Sequence, residues 1–474
     1  MPKLQEFSSR VAERGIVQGV DAMIVPKESV YMANNLVFDQ ILGAGVIRSG
    51  TALVGNQVGS GQKCLGYHQF TKTDGTNVSI AVFNNAGDTV AGIYYLNAGV
   101  WTLTAITTLT KDLPCVFLTF LNTVAVSNGT DAVLTSTNGS TWVTTGGNLD
   151  AANFPKFTAM IEWQDRIYGV TTNSNHVLYS GIQSGGILLW SGLTSGYIDI
   201  EPEDGGGSIV AFSKVPNYLV ILKERSIKRW NGYSTFPDDV MGLGTFNRWS
   251  AVYGKSSCFF INKNGIYETN GGFPIYRSRP VLDIINAIDP ASYGSVSGFC
   301  DGRHLEFSIG TIVIDGITYT NSAVRYALET QQWEFRTYSH TPVQYGRYLT
   351  TNVDVNVFAD TDGHVIQIDT GVADTTTQIP FSVQTQEFTF GPSITNVNRM
   401  CFHTRGMYGA SIFARLDKGD FQIIGTVNSD NQLLENMGLS GTYFEFRVAG
   451  YSSDKYGYWS GITILDAEST ADFR

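Results

Sequence analysis

Charge is scarce in this 474-residue chain: Asp, Glu, Lys and Arg together make up 15% of it, against about 25% in an average globular protein. So little charge on so long a chain implies that partners cover much of its surface. Basic residues are the scarcer sign, 31 against 42 acidic ones for a net charge of −11, and no Lys/Arg cluster exceeds two or three residues. That argues against a sequence-independent grip on nucleic acid, which draws its affinity from counterions released by basic side chains. An acidic surface past which a duplex slides remains open. Cysteine is sparse too: Cys64, Cys115, Cys258, Cys300 and Cys401 lie far apart with no CxxC pair, which reads as buried thiols in a reducing compartment. The charged start MPKLQEFSSRVAERG lacks the apolar run of about 7–15 residues of a signal peptide. No segment approaches the roughly 20 apolar residues of a membrane helix. The six histidines, His68, His176, His304, His340, His364 and His403, show no H-x-x-x-H spacing, and no Gly-x-Ser-x-Gly elbow occurs. The expectation is a soluble protein that folds in a cytoplasm.

What the chain does have is glycine, tyrosine and a recurring tryptophan. Trp101, Trp142, Trp190 and Trp230 fall 41, 48 and 40 residues apart, the length of a four-stranded propeller blade. Short strand-like runs such as SIAVF (79–83) and GIYYL (92–96) alternate with Asn-Gly or Asp-Gly pairs at 74, 128, 138, 231, 264, 270, 301, 315 and 362. Such pairs supply the positive φ that type I′ hairpins need at both central residues. Cutting at these signals predicts about seven blades, at 63–106, 113–147, 154–192, 206–234, 248–278, 293–338 and 343–370, with Tyr276 in the tryptophan slot of the fifth and Trp333 ending the sixth. One helix is predicted over 280–288 (PVLDIINAI), with Val281, Ile284, Ile285 and Ile288 on one face and Asp289-Pro290 to stop it. Residues 1–55 read as an N-terminal arm that leads into or helps close the next domain, and 56–378 as the β-propeller. Longer alternating runs such as FSVQTQEFTF (381–390) and YFEFRVAGY (443–451) mark 379–474 as a C-terminal β-sandwich. That last domain is expected to be separable, leaving a folded propeller when deleted.

Few segments suggest chemistry. Residues 135–142 (TSTNGSTW) resemble the Asp-box turn of sialidase-like propellers, Ser-x-Asp-x-Gly-x-Thr-Trp, through Gly139, Thr141 and Trp142, but Thr137 stands in the Asp position. A hairpin with a packed tryptophan is the plainer reading. Asp360, Asp362 and Asp369 have a spacing reminiscent of calcium loops, yet Gly371 occupies the place of the closing acidic ligand, so an ordinary Asp-Gly hairpin is expected. Glu201, Glu203 and Asp204 before Gly205-Gly206-Gly207 would repel phosphate and read as a loop. No residue is assigned to catalysis, to a cofactor or to a metal.

Order and texture over roughly 205–474 resemble the propeller hub or nozzle proteins of short-tailed double-stranded DNA bacteriophages, also called packaged-DNA stabilisation proteins. The residues that carry the resemblance are LVILKERSIKRWNG (219–232), FFINKNGIYETNGG (259–272), RPVLDIINA (279–287), HLEF (304–307), AVRYALETQQWEF (323–335), FADTDGHVIQI (358–368) and the closing GYWSGITILDAE (457–468). The resemblance implies a non-enzymatic virion protein of the tail, made in the bacterial host cytoplasm. It implies a homo-oligomeric ring, commonly a hexamer, below portal and adaptor proteins and in contact with tail spikes or fibres. The channel of that ring would retain packaged DNA and conduct it on ejection without sequence-specific binding, and no catalytic residue comes with the role. Two alternatives stand beside it: a carbohydrate-binding, lectin-like propeller, and a sialidase-like or polysaccharide-degrading enzyme. The enzyme would need arginines such as Arg225, Arg229, Arg277, Arg279 and Arg303 to converge at the propeller axis.

Overall fold

The computed structural model describes residues 7–10, 15–18, 29–39, 43–182, 186–191, 194–200, 205–350, 352–390, 393–452 and 457–469. The protein is nearly all β. Seven antiparallel strand groups follow one another along the described residues, the last two as parts of larger sheets, and their first strands are Cys64–Thr71, Val116–Phe120, Phe157–Trp163, Ile209–Val215, Ala251–Gly254, Ser297–Cys300 and Gln344–Leu349. Each of these strands packs against the next, and the seventh packs against the first. They are the inner walls of a closed seven-bladed propeller, and each blade falls within a few residues of its predicted segment.

Closure comes from outside that run. Thr51–Leu53 adds antiparallel to Val365–Ile368 of the seventh blade, with Thr51 opposite Ile368 and Leu53 opposite Ile366, so the blade takes its fourth strand from the N-terminal side. The short strands Ala373–Asp374 and Thr377–Gln378 extend the same sheet. The described strands within 1–55 divide between closing the propeller and completing the terminal domain. Strand 51–53 belongs to the propeller, whereas Leu36–Asp39, Ala44–Ile47 and Phe7–Arg10 lie in a six-stranded sheet with Tyr458–Ser469, Thr395–Arg405 and Gln432–Gly441. Met32–Asn34 bridges the two halves of the molecule. It runs parallel to Trp333–Thr337 of the sixth blade and antiparallel to Pro380–Gln384, which makes one nine-stranded sheet from blade and terminal domain.

The terminal domain is a sandwich of that six-stranded sheet against the distal half of the nine-stranded one. Met400, Phe402, Trp459 and Ile462 of the first pack with Phe381, Phe444, Phe446 and Val448 of the second. The same core runs on without a break into Leu305, Phe307 and Phe335 of the sixth blade and into the predicted helix. That helix is short, a single α-turn over Leu282–Asn286 preceded by a 3₁₀ turn, but it buries Val281, Ile284, Ile285 and Ile288 as its pattern requires. At about 1.5–3 kcal/mol for each buried large apolar side chain, so shared a core couples the two domains. The terminal domain shares its core with the sixth blade, which argues against the expected separability.

Turn chemistry departs from expectation at most of the nine pairs. Asp315-Gly316 has positive φ at both residues, joining two eleven-residue strands, whereas the other eight have it at glycine alone. There an Asn or Asp side chain accepts a backbone N–H two residues on, as Asn231 does from Tyr233 at 2.9 Å and Asp301 from Arg303 at 2.7 Å. These are Asx turns in longer loops. The tight inner hairpins instead use Leu121-Asn122, Gln164-Asp165 and Lys255-Ser256, all at positive φ.

Candidate functional site

The seam where blade seven meets blade one gathers the least ordinary set of side chains. Asp360 ends the strand Asp354–Ala359, and a tight turn brings His364 back beside it, while His340 arrives from the connection between blades six and seven. Asp360 Oδ2 lies 2.9 Å from His340 Nδ1 and 2.8 Å from His364 Nδ1, and its Oδ1 accepts the backbone N–H groups of Asp362 and His364. The two rings meet edge to face at 4.8 Å. Burial opposes ionisation of Asp360, but the hydrogen bonds from His340, the two backbone amides and His364 outweigh it and hold the carboxyl below its usual range. The turn is clasped to residues 57–64: Val58 N–H donates to Gly363 O at 2.8 Å, Cys64 N–H to Asp360 O at 3.0 Å, and Ser60 Oγ to Asp362 at 3.1 Å.

A second constellation joins blades six and seven. Asp369, just past Val365–Ile368, receives Arg325 and Arg336 at 2.7 Å each, and Arg336 also pairs with Glu334 at 2.8 Å. Glu306 accepts the hydroxyls of Tyr338 and Tyr345 at 2.8 and 2.9 Å. Burial would raise the Asp369 carboxyl, but the two guanidiniums hold it far below the usual carboxylate range. A few residues away, Arg48 and Asp374 form a fully buried ion pair. With one carboxylate, the partly exposed Asp369, shared between two arginines and tyrosines capping another, the arrangement ties strands together.

A cavity of about 220 Å³ lies between the inner strands, bordered by His68, Phe117, Met160, Phe212, Arg248 and Trp249 among others. Arg248 donates to Thr158 O and lies over the Trp249 ring at 5.2 Å, and burial lowers its pKa to about 10. His68 stacks on Phe117 and sits 2.7 Å from Thr119 Oγ1, with burial pulling its pKa down to about 4.

The segments singled out in the sequence resolve as follows. In 135–142, Ser136 and Asn138 accept the backbone amides of the turn, Gly139 has φ +80°, and Trp142 is buried with its indole N–H on Gly139 O: a fold element. Asp369 is drawn away to the arginines, so the calcium-like set of Asp360, Asp362 and Asp369 does not assemble. Glu201, Glu203 and Asp204 lie outside the described residues. None of Arg225, Arg229, Arg277, Arg279 and Arg303 borders the axial cavity; Arg229 pairs with Asp238 and Arg277 with Glu268 at the outer strands. The tryptophan spacing followed blade length without marking equivalent positions, since Trp101 lies in an added outer strand, Trp230 in a third strand and Trp333 in a fourth. Tyr276, in the fifth slot, is exposed. Cys115 and Cys258 are buried thiols pushed up to about 12, poor nucleophiles at neutral pH. The seam cluster escaped the sequence reading because its regular signal is the mixed pair Asp360-x-x-x-His364, and its third member is supplied only by the fold.

The strand pairing defines the class: an all-β, seven-bladed propeller closed by an N-terminal strand and fused to a β-sandwich. No family model matches the chain, and no curated protein matches its sequence. Among solved structures, YCF48 from Cyanidioschyzon merolae is similar at a TM-score of 0.42 and 13% identity, over 68% of this chain and 98% of its own. The computationally designed Ika8 protein is similar at a TM-score of 0.40 and 10% identity, over 77% of this chain and 98% of its own. Likenesses this distant carry no argument about function.

Proposed function

We propose that this chain is a structural subunit of a phage tail, a hub or nozzle that assembles about six copies into a ring, extends the portal–adaptor channel, and retains and then conducts packaged DNA. It acts without catalysis, in the virion, after synthesis in the host cytoplasm. What supports the specific role is the ordered succession of segments over 205–474. The observation that carries the assembly is the exposed aromatic edge of adjacent blades four and five, where Tyr233 is 90% and Phe273 81% exposed, with Phe236 and Ile275 nearby in sequence and also exposed. Apolar residues so uncovered on a weakly charged chain favour burial against a partner. In this reading DNA passes between copies and never through a propeller, whose axial cavity is far too small.

Light scattering and negative-stain imaging of the purified protein, alone and mixed with portal-side proteins, test the reading. Rings with a central hole, lost in Tyr233→Ser/Phe273→Ser while the chain stays folded, are expected. A monomer that ignores those partners and instead retains a glycan in a binding screen overturns it in favour of a carbohydrate-binding propeller.

A further inference from the structure

His340, Asp360 and His364 place one donor atom each within 4.8 Å of one another. Two imidazole nitrogens and a carboxylate oxygen are a donor set for borderline divalent transition ions, unlike the all-oxygen sets of calcium and magnesium. With metal–ligand bonds of about 2.0–2.1 Å, tetrahedral neighbours stand roughly 3.3 Å apart. The Asp360–His separations of 2.8 and 2.9 Å need to open by about half an ångström, while the two histidine donors, within 4.8 Å of each other, need to close by up to about 1.5 Å, a rearrangement that takes rotation of both imidazole rings.

Charge gives a second reason. Asp360 is 1% exposed, and its ion pairs among the described residues are with these two histidines, with no Lys or Arg taking part. Its four hydrogen bonds already favour the carboxylate form, a ready anionic ligand; a divalent cation would add the charge partner that the site lacks while taking both imidazoles as neutral ligands. The turn that carries two of the three groups is held in place beforehand. Gly363 has φ +79°, and a Cβ on it would stand 2.4 Å from Gly59 O, so this turn and the segment that follows the closing strand are in direct backbone contact.

The geometry points to a binding site for one zinc-type divalent ion, held by His340, Asp360 and His364, with water completing the coordination. Its location gives it a task. It fastens the blade six–seven connection to the turn that is clasped onto residues 57–64, and so it locks the propeller where the ring closes.

The test uses the full-length chain without a histidine tag, stripped with a chelator and titrated with zinc or cobalt(II). Saturation at one ion per chain is expected, with visible d–d bands for cobalt and an unfolding temperature that climbs with the logarithm of free zinc. His364→Gln and His340→Gln are each expected to lose more affinity than the roughly 10–100-fold that removal of an outer-shell partner brings, and to lose the zinc-dependent shift. Absence of saturable binding, or binding that survives both substitutions, overturns the site and leaves a hydrogen-bonded trio. Should a variant fail to fold, X-ray absorption on the cobalt-loaded wild type decides: two imidazoles in the first shell support the site, and none refutes it.

Discussion

Arg48 and Asp374, 326 positions apart, form a two-point ion pair at 2.9 and 2.6 Å with side chains 1% and 3% exposed. The pair sits where the closing strand, its extension and the outer strand of blade six converge. Asn35 completes it by accepting from Arg48 Nε at 2.7 Å and from Thr337 N at 2.9 Å. Arg48→Met would strand the Asp374 carboxylate in the interior, and a loss of about 3–5 kcal/mol is expected. Asp374→Asn in the Arg48→Met background should recover part of it. Denaturant titrations of the two single variants and the double variant measure the coupling, and additive losses would show that the pair is not the latch.

Gly50 precedes the closing strand, and a Cβ there would come within 2.0 Å of Ala373 O and 2.7 Å of Ala373 N. Backbone cannot yield as a side-chain tip can, so Gly50→Ala should push strand 51–53 off its neighbour and lower the unfolding midpoint by several degrees, or leave the protein insoluble. Gly294→Ala is the control: its Cβ meets nothing within 4 Å, and a neutral effect or a gain of about 0.4–1 kcal/mol is expected. Equal melting curves for the two variants would refute the crowding argument.

Stability should fall as pH drops from about 6.5 to about 4. His68 in the unfolded chain takes up its proton near 6.5, whereas burial delays uptake in the folded state to about 4. The unfolded state thus binds more protons within that window, and the loss amounts to up to about 3 kcal/mol. His68→Gln should flatten this part of the curve of unfolding free energy against pH. A second loss sets in below about pH 4, because the Asp369 carboxylate, held low by its arginines, contributes stability only while ionised. An unchanged slope between pH 6.5 and 4 in His68→Gln would place the titration elsewhere.

Removing residues 379–474 should not leave a stable propeller. The deletion strips Met32–Asn34 of its partner strand and uncovers Phe307, Phe335 and the helix face of Ile284 and Ile285. Aggregation on expression is expected, and a soluble fragment with a cooperative melting transition would overturn the coupling of the two domains.

Local chemistry alone determined the all-β class, about seven blades, the terminal sandwich and the buried face of the helix at 282–286. Strand runs, turn residues and the 3.6-residue period at Val281, Ile284, Ile285 and Ile288 act between near neighbours, and so they are written where they operate. Tertiary structure alone decided which distant segments meet. Thr51–Leu53 became the last strand of blade seven because an open propeller leaves an unpaired edge there. Met32–Asn34 joined blade to sandwich because the fold sets it between Trp333–Thr337 and Pro380–Gln384, partners that no local signal in three residues specifies. His340, Asp360 and His364 converged through strand pairing within blade seven: Gln344 lies opposite Ala359, which brings the connection that carries His340 beside the turn at 360–364.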